Sequence, residues 1–183
     1  MIQKPKPAAF LDRDGILNHD HGYVHRHEDI VWVDGAKDAV RLLVETGHRI
    51  FVVTNQAGIA RGLYDEAQLR ALHAWMGAEI AAAGGRIDAF YHCPHHPDAG
   101  ESPYTRECQC RKPAPGMLRA AIAAYPIDTA RSFLVGDRET DIQAARAAGV
   151  RGHLFAGGDL HAFVARILAR NASGAACQSP ARG

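Results

Sequence analysis

The feature that most constrains this chain is a repeated alternation of short apolar runs with amphipathic stretches between residues 8 and 170. The apolar runs are typical of buried strands, and the stretches with helical periodicity are typical of helices packed against a sheet. This alternation predicts βα units, and therefore an α/β fold with a central, mostly parallel sheet covered by helices on both faces. Because no repeat or linker interrupts the pattern, we expect one domain over 1–170 and a flexible tail over 171–183.

The apolar runs and the turn residues between them predict the following elements. The expected strands are 8–11, 49–53, 87–91, 132–135 and 151–155. The expected helices are 36–45, a second helix capped by Asp65 and running to about 83, a third beginning near 115, and two more over 139–148 and 159–170.

Charge and targeting signals restrict the possible ligands. The formal net charge is +1, so the chain lacks the basic excess with which proteins neutralise nucleic acid or an anionic membrane. Neither a secretory signal nor an apolar run long enough to span a bilayer is present. Of the four cysteines three are crowded together, which favours a metal site in a reducing compartment over a disulfide framework. We therefore expect a cytoplasmic monomer that acts on a small polar or phosphorylated molecule.

Polar side chains follow the predicted strands at the points where the strands end. In open α/β sheets ligands bind beyond the carboxyl ends of the strands, so these side chains are expected to meet in one crevice. They are Asp12 and Asp14, Thr54 and Asn55, Arg111 and Lys112, and Asp137 with Asp141.

The residue types in this crevice suit phosphoryl transfer. Two carboxylates one residue apart, joined by a third, crowd negative charge that a cation or a proton must relieve. Hard oxygen ligands favour Mg²⁺, while Lys112 and the Thr54 hydroxyl can donate to phosphoryl oxygens. One Asp can then act as nucleophile and a second as general acid and base. Each residue taken alone could equally be a helix cap, a turn residue or a solvated charge, and it is their conjunction that favours catalysis.

A second candidate site is formed by two pairs of soft ligands. Cys93-x-His95 and Cys108-x-Cys110 can supply the four tetrahedral donors of a structural Zn²⁺ site, with His92 and His96 as alternatives to His95 at this point. The spacing within each pair is tighter than the commoner C-x₂₋₄-C, and the alternative is three reduced thiols beside a surface histidine. Bound zinc would order a loop that ends directly at Arg111 and Lys112.

Several segments resemble a known family. Residues 10–18, Phe-Leu-Asp-Arg-Asp-Gly-Ile-Leu-Asn, resemble the DxDGxxxN opening of the haloacid dehalogenase (HAD) phosphatase superfamily. With further segments, the chain resembles the D,D-heptose 1,7-bisphosphate 7-phosphatases and their close relative, the histidinol-phosphate phosphatase domain. The resemblance extends from about residue 8 to 156 and includes residues 52–62, 93–97, 108–117 and 135–141.

This resemblance implies a capless, Rossmann-like HAD fold with a zinc-stapled loop. It implies Asp12 as nucleophile and Asp14 as general acid and base. Magnesium would be held by the carboxylates of Asp12 and Asp137 and by the main-chain carbonyl of Asp14. Thr54 and Lys112 would hold the transferred phosphoryl group, and Asp141 would support the acidic cluster. The zinc ligands would be Cys93, His95, Cys108 and Cys110.

The same resemblance implies a set of substrate-binding residues and a reaction. The loop residues Asp20, His21, Gly22 and Tyr23 would contact the substrate, as would Asn55, Gln56, Arg111 and Arg138. Arg138 stands where a lysine is expected in relatives, which leaves the contact at that position open. The implied reaction removes the 7-phosphate of D-glycero-D-manno-heptose 1,7-bisphosphate during nucleotide-heptose synthesis for a surface glycan such as lipopolysaccharide.

Two other functions remain open at this point, a histidinol-phosphate phosphatase and a non-catalytic domain that binds a sugar phosphate. The preferred anomer and a role for Cys177 are left open as well.

Overall fold

The computed structural model describes residues 4–176, with side chains to residue 173. Five strands form one parallel sheet in the order β3-β2-β1-β4-β5, with β1 at its centre. The strands are β1 Ala8–Leu11, β2 Arg49–Asn55, β3 Ala89–Cys93, β4 Phe133–Gly136 and β5 Arg151–Leu154. The helices are α1 Ala36–Glu45, α2 Ala57–Ala60, α3 Glu66–Ala82, α4 Gly116–Ala124, α5 Glu139–Ala147 and α6 Leu160–Ala176.

Helices cover both faces of the sheet, as the sequence predicts. Alternate strand residues point to opposite faces, so Leu11 and Val52 pack with α1, α3 and α6. Phe10 and Phe51 face the other way and pack against α4 and α5. Because the central strands are buried on both faces, their side chains are almost entirely apolar.

The structure differs from the predicted elements in several places. Strand β2 extends two residues further, to Asn55, and β4 lies one residue later than predicted. The edge strand β3 begins two residues later than expected and ends at Cys93, because most of its residues are only half-buried and the apolar pattern there is weak. The short helix α2, directly after β2, was not predicted. The last helix continues to Ala176 through an alanine-rich stretch, where the sequence pattern ended it at Arg170. Cys177 and the rest of the expected tail lie outside the described residues.

The connections beyond the strand ends are short. The segment between β1 and α1 is a loop with one turn of 3-10 helix at His27–Asp29, and the segment from β3 to α4 contains no helix or strand. Within residues 4–176 no inserted domain lies over the sheet, which confirms the capless fold. The described helices include none that is long and apolar enough to cross a membrane.

Candidate active site

Asp12 and Lys112 form a buried ion pair at the carboxyl end of the central strand. Asp12 directly follows β1 and is 8% exposed, and its Oδ2 lies 2.9 Å from the Lys112 Nζ. The ammonium group also contacts Asp141 at 2.6 Å and donates to the Val53 carbonyl at 2.9 Å. The sheet therefore holds a cation against the predicted nucleophile.

Burial and neighbouring charges shift both pKa values of this pair upward. Burial raises the pKa of the Asp12 carboxyl to about 7; Lys112 opposes the shift and Asp141 adds to it. Burial alone would lower the pKa of Lys112, but the carboxylates of Asp12 and Asp141 outweigh it and raise that pKa. Lys112 therefore stays charged at neutral pH. The raised pKa of Asp12 reflects in part a crowding of negative charge that a bound cation would relieve.

Three carboxylates converge beside this pair. Oxygen atoms of Asp12, Asp137 and Asp141 all lie within 4.8 Å of one another. Oδ1 of Asp137 is buried and has no hydrogen-bond partner among the described residues, so it remains available as a ligand. Gly15, at φ 85°, permits this approach, because a Cβ there would overlap the Asp137 carboxylate. Hard oxygen donors arranged in this way fit Mg²⁺.

Asp141 lies closer to the chemistry than the sequence indicated. Besides its contact with Lys112, its Oδ2 accepts the backbone N–H of Arg138 at 3.0 Å, which ties the start of α5 to the cluster. Its supporting role stays a prediction, but the structure also makes it a candidate carboxylate ligand.

The Asp14 carboxylate is held by three side chains. Arg13, which is fully buried, donates to Oδ1 at 2.9 Å and to Oδ2 at 2.9 Å. Asn18 donates to Oδ1 at 3.0 Å, and Gln56 donates to Oδ2 at 3.0 Å. The predicted acid and base therefore has a fixed orientation at the wall of the cleft, where it retains some exposure.

The side chains at the end of β2 are engaged with the protein itself. Thr54 is fully buried, and its Oγ1 accepts a hydrogen bond from Gln56 Nε2 at 2.7 Å. Asn55 binds both backbone polar groups of Lys112. Its Oδ1 accepts from the Lys112 N–H at 3.0 Å, and its Nδ2 donates to the Lys112 carbonyl at 3.1 Å. Asn55 therefore anchors the lysine to the sheet, and a contact between substrate and Asn55 or Gln56 stays a prediction.

A cleft of about 530 Å³ opens above these groups. The loop residues Asp20, Gly22 and Tyr23 line it, whereas His21 lines a neighbouring surface pocket. Across the mouth, the exposed guanidinium of Arg138 pairs with Asp20 at 3.0 Å. Of the four predicted loop contacts, the structure therefore brings three to the cleft.

Some residues of the site were not singled out from the sequence. Arg13 sits between two predicted catalytic aspartates, and a charged residue at the end of a buried strand was the signal that could have found it. His96, next to a predicted zinc ligand, lines the cleft, as do Arg61 and Tyr64 beyond α2. The hydrophobic periodicity of the sequence does not point to Arg61 or Tyr64, because the short turn after Asn55 brings them to the cleft.

The four predicted zinc ligands come together in the loop after β3. The Cys93 sulfur lies 2.9 Å from that of Cys110 and 3.5 Å from that of Cys108, and Nδ1 of His95 lies 3.3 Å from the Cys110 sulfur. The three cysteines are free thiols. One nitrogen and three sulfurs within 4.8 Å of one another fit the donor set of a tetrahedral Zn²⁺ site.

This cluster is directly connected to Arg111. The Arg111 backbone N–H donates to the Cys108 sulfur at 3.3 Å, and its guanidinium donates to the His95 carbonyl at 3.3 Å. Arg111 lines the cleft beside Lys112. The cysteine loop therefore positions a cation at the substrate cleft.

Comparisons with known proteins agree with this geometry. Residues 109–169 match the HAD-hydrolase-like family model. The chain is 44% identical over 163 residues to the D-glycero-β-D-manno-heptose-1,7-bisphosphate 7-phosphatase of Rhodopseudomonas palustris, covering 89% of this chain and 91% of the relative. It is 48% identical over 149 residues to the enzyme of that name from Escherichia coli K12, covering 81% and 78%.

A solved structure leads to the same family. The D,D-heptose 1,7-bisphosphate phosphatase of B. bronchiseptica, crystallised with magnesium and phosphate, superimposes with a TM-score of 0.77 at 34% identity. The match covers 90% of this chain and 99% of that one. The resemblance seen in the motifs is thus confirmed over nearly the whole domain, and the chain belongs to the heptose-1,7-bisphosphate 7-phosphatase family of HAD-like hydrolases.

Proposed function

We propose that this protein hydrolyses the 7-phosphate of D-glycero-β-D-manno-heptose 1,7-bisphosphate through an aspartyl-phosphate on Asp12. The observation that carries the proposal is the buried pairing of Asp12 with Lys112 at the floor of the cleft, beside Asp137 and Asp141. The substrate and its β anomer are taken from the names of the relatives, to which the chain is 44–49% identical.

In the first step a carboxylate oxygen of Asp12 attacks phosphorus, and the bond from phosphorus to the sugar oxygen breaks. Asp14 gives a proton to the departing sugar oxygen, which leaves as an alcohol. The Lys112 ammonium and the Thr54 hydroxyl stabilise the charge on the transferred group. Lys112 is already fixed in place by Asn55 and Val53, so little reorganisation is needed.

In the second step water attacks the phosphorus of the aspartyl-phosphate. Asp14, now ionised, takes a proton from that water, the bond from phosphorus to the Asp12 oxygen breaks, and inorganic phosphate is released. Together the two steps return Asp12 to its carboxylate and Asp14 to its protonated form, so Asp14 alternates between acid and base.

The residues fit two metal ions. We propose that the carboxylates of Asp12 and Asp137 and the main-chain carbonyl of Asp14 hold Mg²⁺, which supplies neutralising charge to the phosphoryl oxygens when bound. Cys93, His95, Cys108 and Cys110 would hold a structural Zn²⁺ that orders the loop preceding Arg111.

We also propose that residues 1–170 act as one domain, as a cytoplasmic monomer, in nucleotide-heptose synthesis for a surface glycan such as lipopolysaccharide. Three free thiols clustered as metal ligands suit a reducing compartment. Light scattering of the purified protein tests the monomer directly.

Phosphate release from a substrate panel tests the function. The panel contains the β and α anomers of heptose 1,7-bisphosphate and histidinol phosphate, with Mg²⁺ present and Asp12→Asn as the inactive control. We expect the highest kcat/KM with the β anomer. Preference for histidinol phosphate would replace the assigned substrate, and an absence of phosphate release from every ester would indicate a binding domain.

A further inference from the structure

We infer that Gln56 is a positioning residue that aims both Asp14 and Thr54, and that Tyr64 fixes the orientation of its amide. This inference rests on the proposed function, because it concerns how the acid and base of that reaction is held. It assigns Gln56 a role different from the substrate contact expected from the sequence.

The amide of Gln56 is fully used by the protein. The residue is 2% exposed, and its Nε2 donates to Asp14 Oδ2 at 3.0 Å and to Thr54 Oγ1 at 2.7 Å. Its Oε1 accepts from the Tyr64 hydroxyl at 2.5 Å. An amide nitrogen has only two hydrogens to donate, so both are spent on these partners. A substrate oxygen could reach Nε2 only by displacing one of them.

Only one orientation of the amide satisfies these contacts. In its ionised form, before it takes a proton from water, Asp14 can only accept hydrogen bonds, so the NH₂ end of Gln56 must face it. The opposite orientation would set an amide oxygen against the carboxylate. Tyr64, which is 6% exposed, donates to Oε1 and so holds the amide in the orientation that Asp14 requires.

The packing around α2 places the Tyr64 hydroxyl beside the Gln56 amide. Gly58 packs against the Tyr64 ring so closely that a Cβ there would overlap it. The ring also stacks on His25, with centroids 4.7 Å apart and planes 9° from parallel. The backbone N–H of Gln56 donates to the Cys93 carbonyl at 2.8 Å, which fixes the residue between β2 and β3.

The consequence for the reaction is specific to the leaving group. If Gln56 aims Asp14, its loss should slow departure of an alkyl alcohol, which needs a proton, more than departure of a nitrophenolate, which needs none. Loss of aim at Thr54 would slow both substrates alike, because Thr54 acts on the transferred phosphoryl group. A residue that contacts only the sugar would change KM and leave kcat unchanged.

The experiment compares Gln56→Met with the wild type on heptose 1,7-bisphosphate and on p-nitrophenyl phosphate. Methionine keeps the length and volume of glutamine and removes both donors. Both substrates form the same aspartyl-phosphate, whose hydrolysis also uses Asp14, so the rate compared is that of the first turnover at saturating substrate, in which the leaving group departs. We expect this rate to fall about 100-fold for the sugar phosphate and at least tenfold less for the aryl phosphate. Gln143→Met, an exposed glutamine on α5, is the matched control and should leave both rates unchanged.

Equal losses of the first-turnover rate on the two substrates, or a change in KM alone, would overturn the inference. Tyr64→Phe keeps the ring and removes the hydroxyl, and it should give the same selective loss at a few-fold level even if Gln56→Met does not fold. A crystal structure of either variant should show the Asp14 carboxylate turned from its present position. If Asp12→Asn releases phosphate as fast as the wild type, the proposed function fails instead. The position of Asp14 in the crystal structure of Gln56→Met or Tyr64→Phe still tests the inference in that case.

Discussion

The acidic centre and the cysteine cluster, although adjacent in space, are held in different ways. In the acidic centre, Asp12 and Asp137 directly follow β1 and β4, so the sheet places them. In the cysteine cluster only Cys93 belongs to a strand, and the other three ligands lie in a segment without helix or strand. The first site is preformed by the backbone hydrogen bonds of the sheet, whereas the second lacks that support and would depend on the proposed zinc ion for order.

The two regions meet at consecutive residues. Arg111 is bound through Cys108 and His95, whereas Lys112 is bound through Asn55 and Val53. The arginine therefore depends on the cysteine loop, and the lysine depends on the sheet. The predictions below test whether binding and chemistry divide between these two neighbours.

The largest effect is expected from Lys112→Met. This change removes the cation that faces Asp12 and Asp141, so kcat should fall by about 10²- to 10³-fold. Steady-state phosphate release measures it. Lys6→Met, at an exposed lysine before β1, is the control and should retain full activity. A loss below tenfold would show that the sheet-held lysine does not stabilise the transferred group.

A smaller and different effect is expected from Cys108→Ser. Loss of one sulfur should release zinc and loosen Arg111, raising KM for the bisphosphate about tenfold, while kcat changes less than threefold. Metal analysis and steady-state kinetics measure the two consequences. A variant that keeps its zinc and its KM would refute the metal site, and an equal fall in kcat would show that Lys112 also depends on the loop.

Stability should respond in opposite directions in the two regions. Asp12 carries a pKa of about 7 in the folded protein against an ordinary value of 3.8, so the folded state retains a proton that the unfolded state releases. Its contribution to the free energy of unfolding therefore falls as the pH rises from about 4 to 7. An asparagine side chain cannot ionise, so in magnesium-free buffer Asp12→Asn should stabilise the protein by up to about 4 kcal/mol at pH 8 and hardly at all at pH 4.

Urea unfolding at the two pH values measures this difference. Asp34→Asn, at an exposed aspartate, is the control and should show no comparable gain. Cys108→Ser should instead lower the free energy of unfolding of the zinc-loaded protein. Destabilisation by Asp12→Asn at pH 8 would mean that the pairing with Lys112 outweighs the burial of the carboxylate.

The sequence predicted the acidic centre better than the surroundings of the cleft, for a physical reason. Apolar runs mark the strands, and parallel strands bring their carboxyl ends together, so the meeting of Asp12, Thr54 and Asp137 followed from the pattern. The contacts of Arg13 and Gln56 depend on side-chain rotamers and on the turn through α2, for which the sequence has no periodic signal. The edge strand β3 shifted by two residues because its half-buried positions carry little pattern.

The smallest effect is expected at Arg138, whose side chain lies at the mouth of the cleft. Its guanidinium is exposed and pairs with Asp20 at 3.0 Å across the mouth of the cleft, and exposed ion pairs are worth about 0.2–1 kcal/mol. Arg138→Lys, which restores the residue expected in relatives, should therefore change kcat/KM less than about threefold. A loss above 20-fold would show that the planar guanidinium binds the substrate with two hydrogen bonds, which a lysine cannot reproduce. In that case binding would depend on the mouth of the cleft as well as on the cysteine loop.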